Sequence, residues 1–152
     1  VTISVHATPG HCANHLAFGL GEVLLSGDHV MGWNSTLVSV PDGSMADYLA
    51  SLDKVIALPY PRYVPAHGGP IDDGPGFATA LRAHRQMRNR QVVAAVRDGA
   101  RNVTAIVNAI YPNQSLPVRF AAGMTIAAHV EYLEGLGQLN VARRLWGTRI
   151  TI

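Results

Sequence analysis

Three times in its first 70 or so residues, this sequence brings a short apolar or β-branched run to a Pro- or Gly-bearing turn that holds a histidine or an aspartate. Val1-Thr2-Ile3-Ser4-Val5-His6 leads to Thr8-Pro9-Gly10-His11, Val23-Leu24-Leu25 to Ser26-Gly27-Asp28-His29, and Arg62-Tyr63-Val64-Pro65 to Ala66-His67-Gly68-Gly69. Runs of this kind read as strands and the punctuation after them as loops. Loops at one edge of a sheet can converge on a point while the strands hold them rigid, which suits a metal site. An imidazole nitrogen binds one ion, whereas a carboxylate has two oxygens and can bridge two. Asp28, between His11 and His67 in sequence, is the natural bridge.

The remainder of the chain reads as helical. From Asp42 to Leu58, Met45, Tyr48, Leu49, Leu52, Val55 and Ile56 recur at three- and four-residue steps, with Asp42 or Ser44 as the cap and Pro59 and Pro61 as the stop. Ile71-Asp72-Asp73-Gly74-Pro75-Gly76 has linker chemistry. Beyond it a long helix is expected from Phe77 to Arg97, with Arg82, Arg85, Arg88 and Arg90 opposite its apolar side. A short helix follows at Val103–Ile110 and another at Phe120–Leu136. The tail, with Leu139, Val141, Trp146, Ile150 and Ile152, reads as two short strands joined by an Arg143-Arg144 turn. Helix, short helix, helix and hairpin is the order of a winged helix-turn-helix. The domains expected are therefore 1–76 and 77–152.

Charge divides along the same line. Residues 1–76 hold two basic side chains against seven acidic ones, and residues 77–152 hold ten arginines against three acidic ones, so the halves are suited to different tasks. Five of the seven histidines lie in the acidic half. No apolar stretch approaches the roughly 20 residues a bilayer span requires, so no membrane partner is expected. Cys12 is the single cysteine, which excludes an internal disulfide and favours a reducing, cytoplasmic compartment. The first residue is Val1 rather than Met, which reads as a processing site or a cloning boundary with room for targeting information upstream.

Thr8-Pro9-Gly10-His11, Ser26-Gly27-Asp28 and His67-Gly68-Gly69, in this order and spacing, resemble the second half of the metallo-β-lactamase superfamily signature. Gly27-Asp28-His29-Val30-Met31-Gly32-Trp33, Pro41-Asp42-Gly43-Ser44-Met45-Ala46-Asp47-Tyr48 and the arginine-rich C-terminal part are similar to its lactamase-beta-2-like branch. The resemblance implies an α/β fold: the C-terminal half of an αββα sandwich, followed by a small winged helix-turn-helix domain. It implies metal ligation by His11, Asp28 and His67, with Asp28 bridging two Zn²⁺ ions as the catalytic centre. The chemistry implied is attack by a metal-held hydroxide on an ester, thioester, amide or phosphodiester.

The family's first motif, H-x-H-x-D-H, is absent, since no two histidines in this sequence stand two apart. Three ligands shared between two sites fall short of the roughly four per ion that a stable zinc centre needs. This chain alone is therefore expected to be inactive, as a fragment of a hydrolase of small esters or thioesters. The alternatives are an endoribonuclease acting on single-stranded RNA, to which the basic half would contribute, and a non-catalytic binding module. A sequence-specific regulator is disfavoured, because the helix at 120–136 has only Arg119 at its edge.

Each candidate has a plainer reading. His11 and His67 could be loop histidines bonded to backbone, and Asp28 a turn cap. His15, four residues after His11, could share a helical face with it, but a supporting or packing role is favoured over ligation. His29 is read as supporting or substrate-facing, His6 as a strand residue near the site, His84 and His129 as surface or packing residues, and Cys12 as a small buried side chain. The arginine row at 82, 85, 88 and 90 is a solvated face or a phosphate contact. Strands separated from a missing half would expose edges and apolar faces, so self-association is expected.

Overall fold

The computed structural model describes residues 2–145 and 147–152, so Val1 and Trp146 lie outside the described residues. The chain divides into two compact units, Val1–Arg85 and Gln86–Ile152. The division falls inside a helix, nine residues beyond the boundary read from the Gly/Pro-rich segment.

The first unit is built on a four-stranded sheet of β1 (Ile3–Ala7), β2 (Leu16–Leu20), β3 (Val23–Gly27) and β4 (Arg62–Pro65), in that order. The first three strands form an antiparallel meander, and β4 runs parallel to β3. Parallel neighbours need a crossover, and here it carries the helix α1 (Met45–Ala57). Ser44 caps α1, its hydroxyl accepting from Asp47 N at 3.2 Å. At the other end Leu58 is extended, as the residue before a proline must be.

β2 was not foreseen. Its inward side chains are Ala17 and Gly19, while Leu16, Phe18 and Leu20 point outward, which inverts the usual apolar-in pattern. Close packing enforces the small residues, since a Cβ on Gly19 would lie within 1.9 Å of the Tyr60 hydroxyl. Register places Gly19 beside Leu24, and Leu24 beside Tyr63, as one row facing the core. Tyr63 is wholly buried and its hydroxyl donates to the Val55 carbonyl of α1 at 2.8 Å, tying helix to sheet. The opposite face of the sheet exposes Ile3, Val5, Phe18, Leu20 and Leu25.

The long helix α2 (Gly74–Arg97) starts earlier than expected, at Gly74 rather than Phe77. Asp73 accepts from Gly76 N at 2.9 Å, which gives the Asp-Gly-Pro-Gly segment helix-start chemistry rather than that of a linker. In the second unit α2 is followed by α3 (Val103–Ile110), α4 (Leu116–Gly135) and an antiparallel hairpin of β5 (Asn140–Arg144) and β6 (Gly147–Thr151). Val92, Val96, Ile106, Ile126, Leu133, Leu139 and Ile150 form its core. Asn102 caps α3, accepting from Ala105 N at 2.8 Å. Arg143 and Arg144 belong to β5 and not to the turn, which comes after them. Arg143 instead forks onto Glu134, with bonds of 2.8 and 2.7 Å. Among the described residues, no helix is long and apolar enough to cross a membrane.

Candidate metal centre

The Thr8–His11 loop is fastened to the cap and the middle of α1. Ser51 Oγ donates to the Pro9 carbonyl at 2.8 Å, and Ser44 N donates to the Gly10 carbonyl at 2.9 Å. Gly10 has φ +135° and lies so close to the helix that an added Cβ would sit 2.3 Å from Tyr48 Cα. Only glycine meets both conditions.

This seating delivers His11 to the 31–40 loop, where its Nδ1 stands 2.7 Å from the Leu37 carbonyl oxygen. A carbonyl can only accept, so Nδ1 is the donor, and in the neutral imidazole the lone pair is then on Nε2. A second partner, Thr36 Oγ1, lies 3.4 Å from the same nitrogen. A metal-binding histidine characteristically engages its other nitrogen in this way, fixing both tautomer and ring orientation.

Asp28 follows β3 and His67 follows β4, so parallel pairing of those strands sets the two side chains side by side. Asp28 Oδ1 is 3.5 Å from His67 Nε2. That oxygen is buried and accepts no hydrogen bond. The His67 side chain is 65% exposed. Its backbone carbonyl accepts from Gly32 N at 2.9 Å, and a Cβ on Gly68 would lie within 2.8 Å of Gly32 Cα, so the two loops are in backbone contact.

His15 is not on a helical face with His11. The segment between them turns, and His15 stands immediately before β2 with its ring centroid 6.4 Å from that of His11. Its Nδ1 is 2.8 Å from Thr8 Oγ1. Burial holds the His15 pKa below the usual histidine value, the His11 charge adds to this, and Asp28 opposes it. His29 is completely buried, with its ring centroid 4.8 Å from that of Tyr48 and 5.8 Å from that of His15. Burial first, and the neighbouring His15 charge second, push its pKa down to about 3, so it is neutral at physiological pH. His6 lies on β1 and meets the Tyr60 hydroxyl at 3.2 Å. Cys12 is half-buried.

Asp28 and His67 are thus brought together, while His11 stands in the adjoining loop with a free nitrogen. Among the described residues, no three His, Cys, Asp or Glu side chains converge closely enough to hold an ion. The donors that are present nonetheless fit a metal: an unbonded buried carboxylate oxygen, and an imidazole whose second nitrogen is already engaged.

The arginine row is not a uniform solvated face. Arg82 bonds Asp53 at 3.1 Å, and Arg88 stacks over the Tyr111 ring at 4.5 Å. Arg85 is only 3% exposed; it donates to the Thr36 carbonyl and lies 5.2 Å from the Tyr48 ring centre. The sequence held a signal for this, because Ala78, Arg85 and Val92 are spaced by sevens and therefore share a helix face, and both flanking residues are fully buried. Thr36 and Leu37 had no comparable signal, since their loop has no periodicity.

A family model described as the metallo-beta-lactamase superfamily matches residues 1–67. A beta-lactamase-like protein 2 homolog of Caenorhabditis elegans is 31% identical over 124 residues, covering 80% of this chain and 41% of the relative. An atrochrysone carboxyl ACP thioesterase of Aspergillus chevalieri is 35% identical over 103 residues, covering 64% of this chain and 31% of that protein. Among solved structures, a metallo-beta-lactamase family protein from Thermus thermophilus superposes with a TM-score of 0.82 at 29% identity, covering 98% of this chain and 48% of the other. The chain spans less than half the length of these relatives. The match over residues 1–67 and the likeness in three dimensions make this chain similar, over that part, to proteins of the metallo-beta-lactamase superfamily.

Proposed function

We propose that this chain carries part of the centre of a metal-dependent hydrolase acting on a small ester or thioester, with Zn²⁺ held through His11, Asp28 and His67. The observation that carries the reading is the donor set. Asp28 Oδ1 is buried and unbonded 3.5 Å from His67 Nε2. His11 is held by the Leu37 carbonyl with Nε2 free. Zinc, when bound, would activate water and polarise the substrate carbonyl. The chain's own contribution is to orient the donors: Leu37 holds the His11 tautomer, Thr8 and His15 brace the loop before it, and the Gly32–Gly68 contact fixes the His67 loop. Thioester chemistry is favoured over other acyl substrates by the likeness to a thioesterase.

Calorimetric titration of the chain with Zn²⁺, repeated on Asp28→Ala and His67→Ala, tests this directly. Stoichiometric binding lost in both variants supports the reading. Absence of stoichiometric binding to the unaltered chain refutes it.

A second reading, a binding module with an incomplete metal site, is favoured by the lack of any three-donor cluster among the described residues. In that reading the second unit, with helices α2, α3 and α4 followed by the β5–β6 hairpin, is taken as a winged helix serving as a protein-interaction module. The RNA alternative loses weight because Arg82 and Arg143 are ion-paired and Arg85 is buried, so these side chains offer little to a phosphate backbone.

A further inference from the structure

We propose that Arg85 is a positioning residue for His11. It acts through the Thr36–Leu37 segment and fixes which imidazole nitrogen is presented to the metal. The inference rests on the metal-centre reading above and adds to it a residue from α2, outside the three ligand-bearing loops.

His11 Nδ1 has two neighbours, the Leu37 carbonyl at 2.7 Å and Thr36 Oγ1 at 3.4 Å, and both belong to the 31–40 loop. That stretch forms no helix or strand beyond a single bridge at Gly32, so ladder hydrogen bonds do not hold residues 36–37 in place. Thr36 is nevertheless 2% exposed and Val38 is fully buried, while Leu37 between them is exposed. Arg85 meets the segment from beneath. Its Nη2 donates to the Thr36 carbonyl, the group joined to the Leu37 nitrogen. Its guanidinium lies against the Tyr48 ring, and the Tyr48 hydroxyl in turn donates to the His29 carbonyl at 3.0 Å, next to Asp28. Burial raises the Tyr48 pKa despite the opposing Arg85 charge and hydrogen bond, so Tyr48 stays a neutral donor.

A buried guanidinium is costly unless its hydrogen bonds and charge are answered. A planar donor lying between an aromatic face and a carbonyl is an arrangement that arginine suits and lysine suits less well. Lysine still keeps a charged donor able to reach the Thr36 carbonyl. An apolar side chain removes that donor, which frees the Thr36–Leu37 peptide to rotate and releases the acceptor that keeps the proton on Nδ1. His11 could then adopt the other tautomer, with the proton on the nitrogen that must bind metal.

The test compares the full chain with Arg85→Met and Arg85→Lys. Val55→Ala serves as a control, since it removes a buried side chain of α1 that lies about two turns beyond Tyr48. The direct readout needs no metal: long-range ¹H–¹⁵N correlation of the imidazoles at neutral pH, with His11 assigned by His11→Gln. We expect one His11 species protonated at Nδ1 in the unaltered chain, Arg85→Lys and Val55→Ala, and a mixture of tautomers in Arg85→Met. Competition of Zn²⁺ against a chelator should then show about 10- to 100-fold weaker binding for Arg85→Met, the range found when the partner of a metal-bound histidine is lost. If Arg85→Met keeps the single tautomer and the Zn²⁺ affinity of the unaltered chain, the inference is overturned while the metal centre stands. If Val55→Ala loses affinity as Arg85→Met does, the effect is one of stability and the inference is again overturned. If the unaltered chain binds no Zn²⁺, the metal reading fails, and the tautomer measurement alone still decides what Arg85 does to His11.

Discussion

Replacing His29 by leucine in the metal-free chain should flatten the acid limb of its stability curve. His29 is 0% exposed, and neither ring nitrogen meets hydrogen-bond geometry, although the ring approaches the Ser51 backbone. The groups facing it are His15, Tyr48 beneath Arg85, and the adjoining Asp28. Its pKa is about 3 in the folded chain, against about 6.5 for an unperturbed histidine. A histidine with a lowered folded pKa is protonated more readily in the unfolded state. Its contribution is therefore fully present above about pH 6.5 and is lost as pH falls toward about 3. Integrating between these values, acidification from about pH 6 to about pH 4 costs about 2.5 kcal/mol from His29 alone. Urea unfolding followed by circular dichroism, in chelator, at several pH values across that range would read the slope. Carboxylates contribute to both proteins, so the difference between the two curves isolates His29. The leucine variant should keep about 2 kcal/mol or more of the stability that the unaltered chain loses over this range. Parallel curves would refute the claim that burial holds this imidazole neutral.

Two further perturbations address the scaffold. Gly10→Ala combines φ +135° with a Cβ 2.3 Å from Tyr48 Cα, a backbone neighbour that cannot rotate away. It should cost about 3 kcal/mol or more in denaturant unfolding, and a loss below about 1 kcal/mol would show that the loop is not seated on α1 as described. The sheet face of Ile3, Val5, Phe18, Leu20 and Leu25 should drive self-association of the isolated chain. Sedimentation velocity over a range of concentrations should detect it, and Val5→Lys with Phe18→Lys should abolish it. A concentration-independent monomer for the unaltered chain would contradict this.

Local sequence determined the parts of this protein whose physics is local. The apolar spacing from Met45 to Val55, the Ser44 cap and the prolines after Leu58 specify α1 with little help from elsewhere. The β-branched or apolar runs ending in Pro or Gly specify β1, β3 and β4, and with them the loops that carry His11, Asp28 and His67. Tertiary packing decided the rest. β2 hides its identity because its inward side has room only for Ala17 and Gly19, with Tyr60 packed against Gly19, so its bulky residues face outward. Arg85 reads as one member of a charged row until a buried aromatic ring and the carbonyl of a distant loop are seen to receive it. The His11 tautomer likewise depends on a carbonyl 26 residues away, in a loop with no pattern of its own. Hydrophobic periodicity is written within one element and survives in the sequence. The choice of a hydrogen-bond partner is made between segments that only the folded chain brings together.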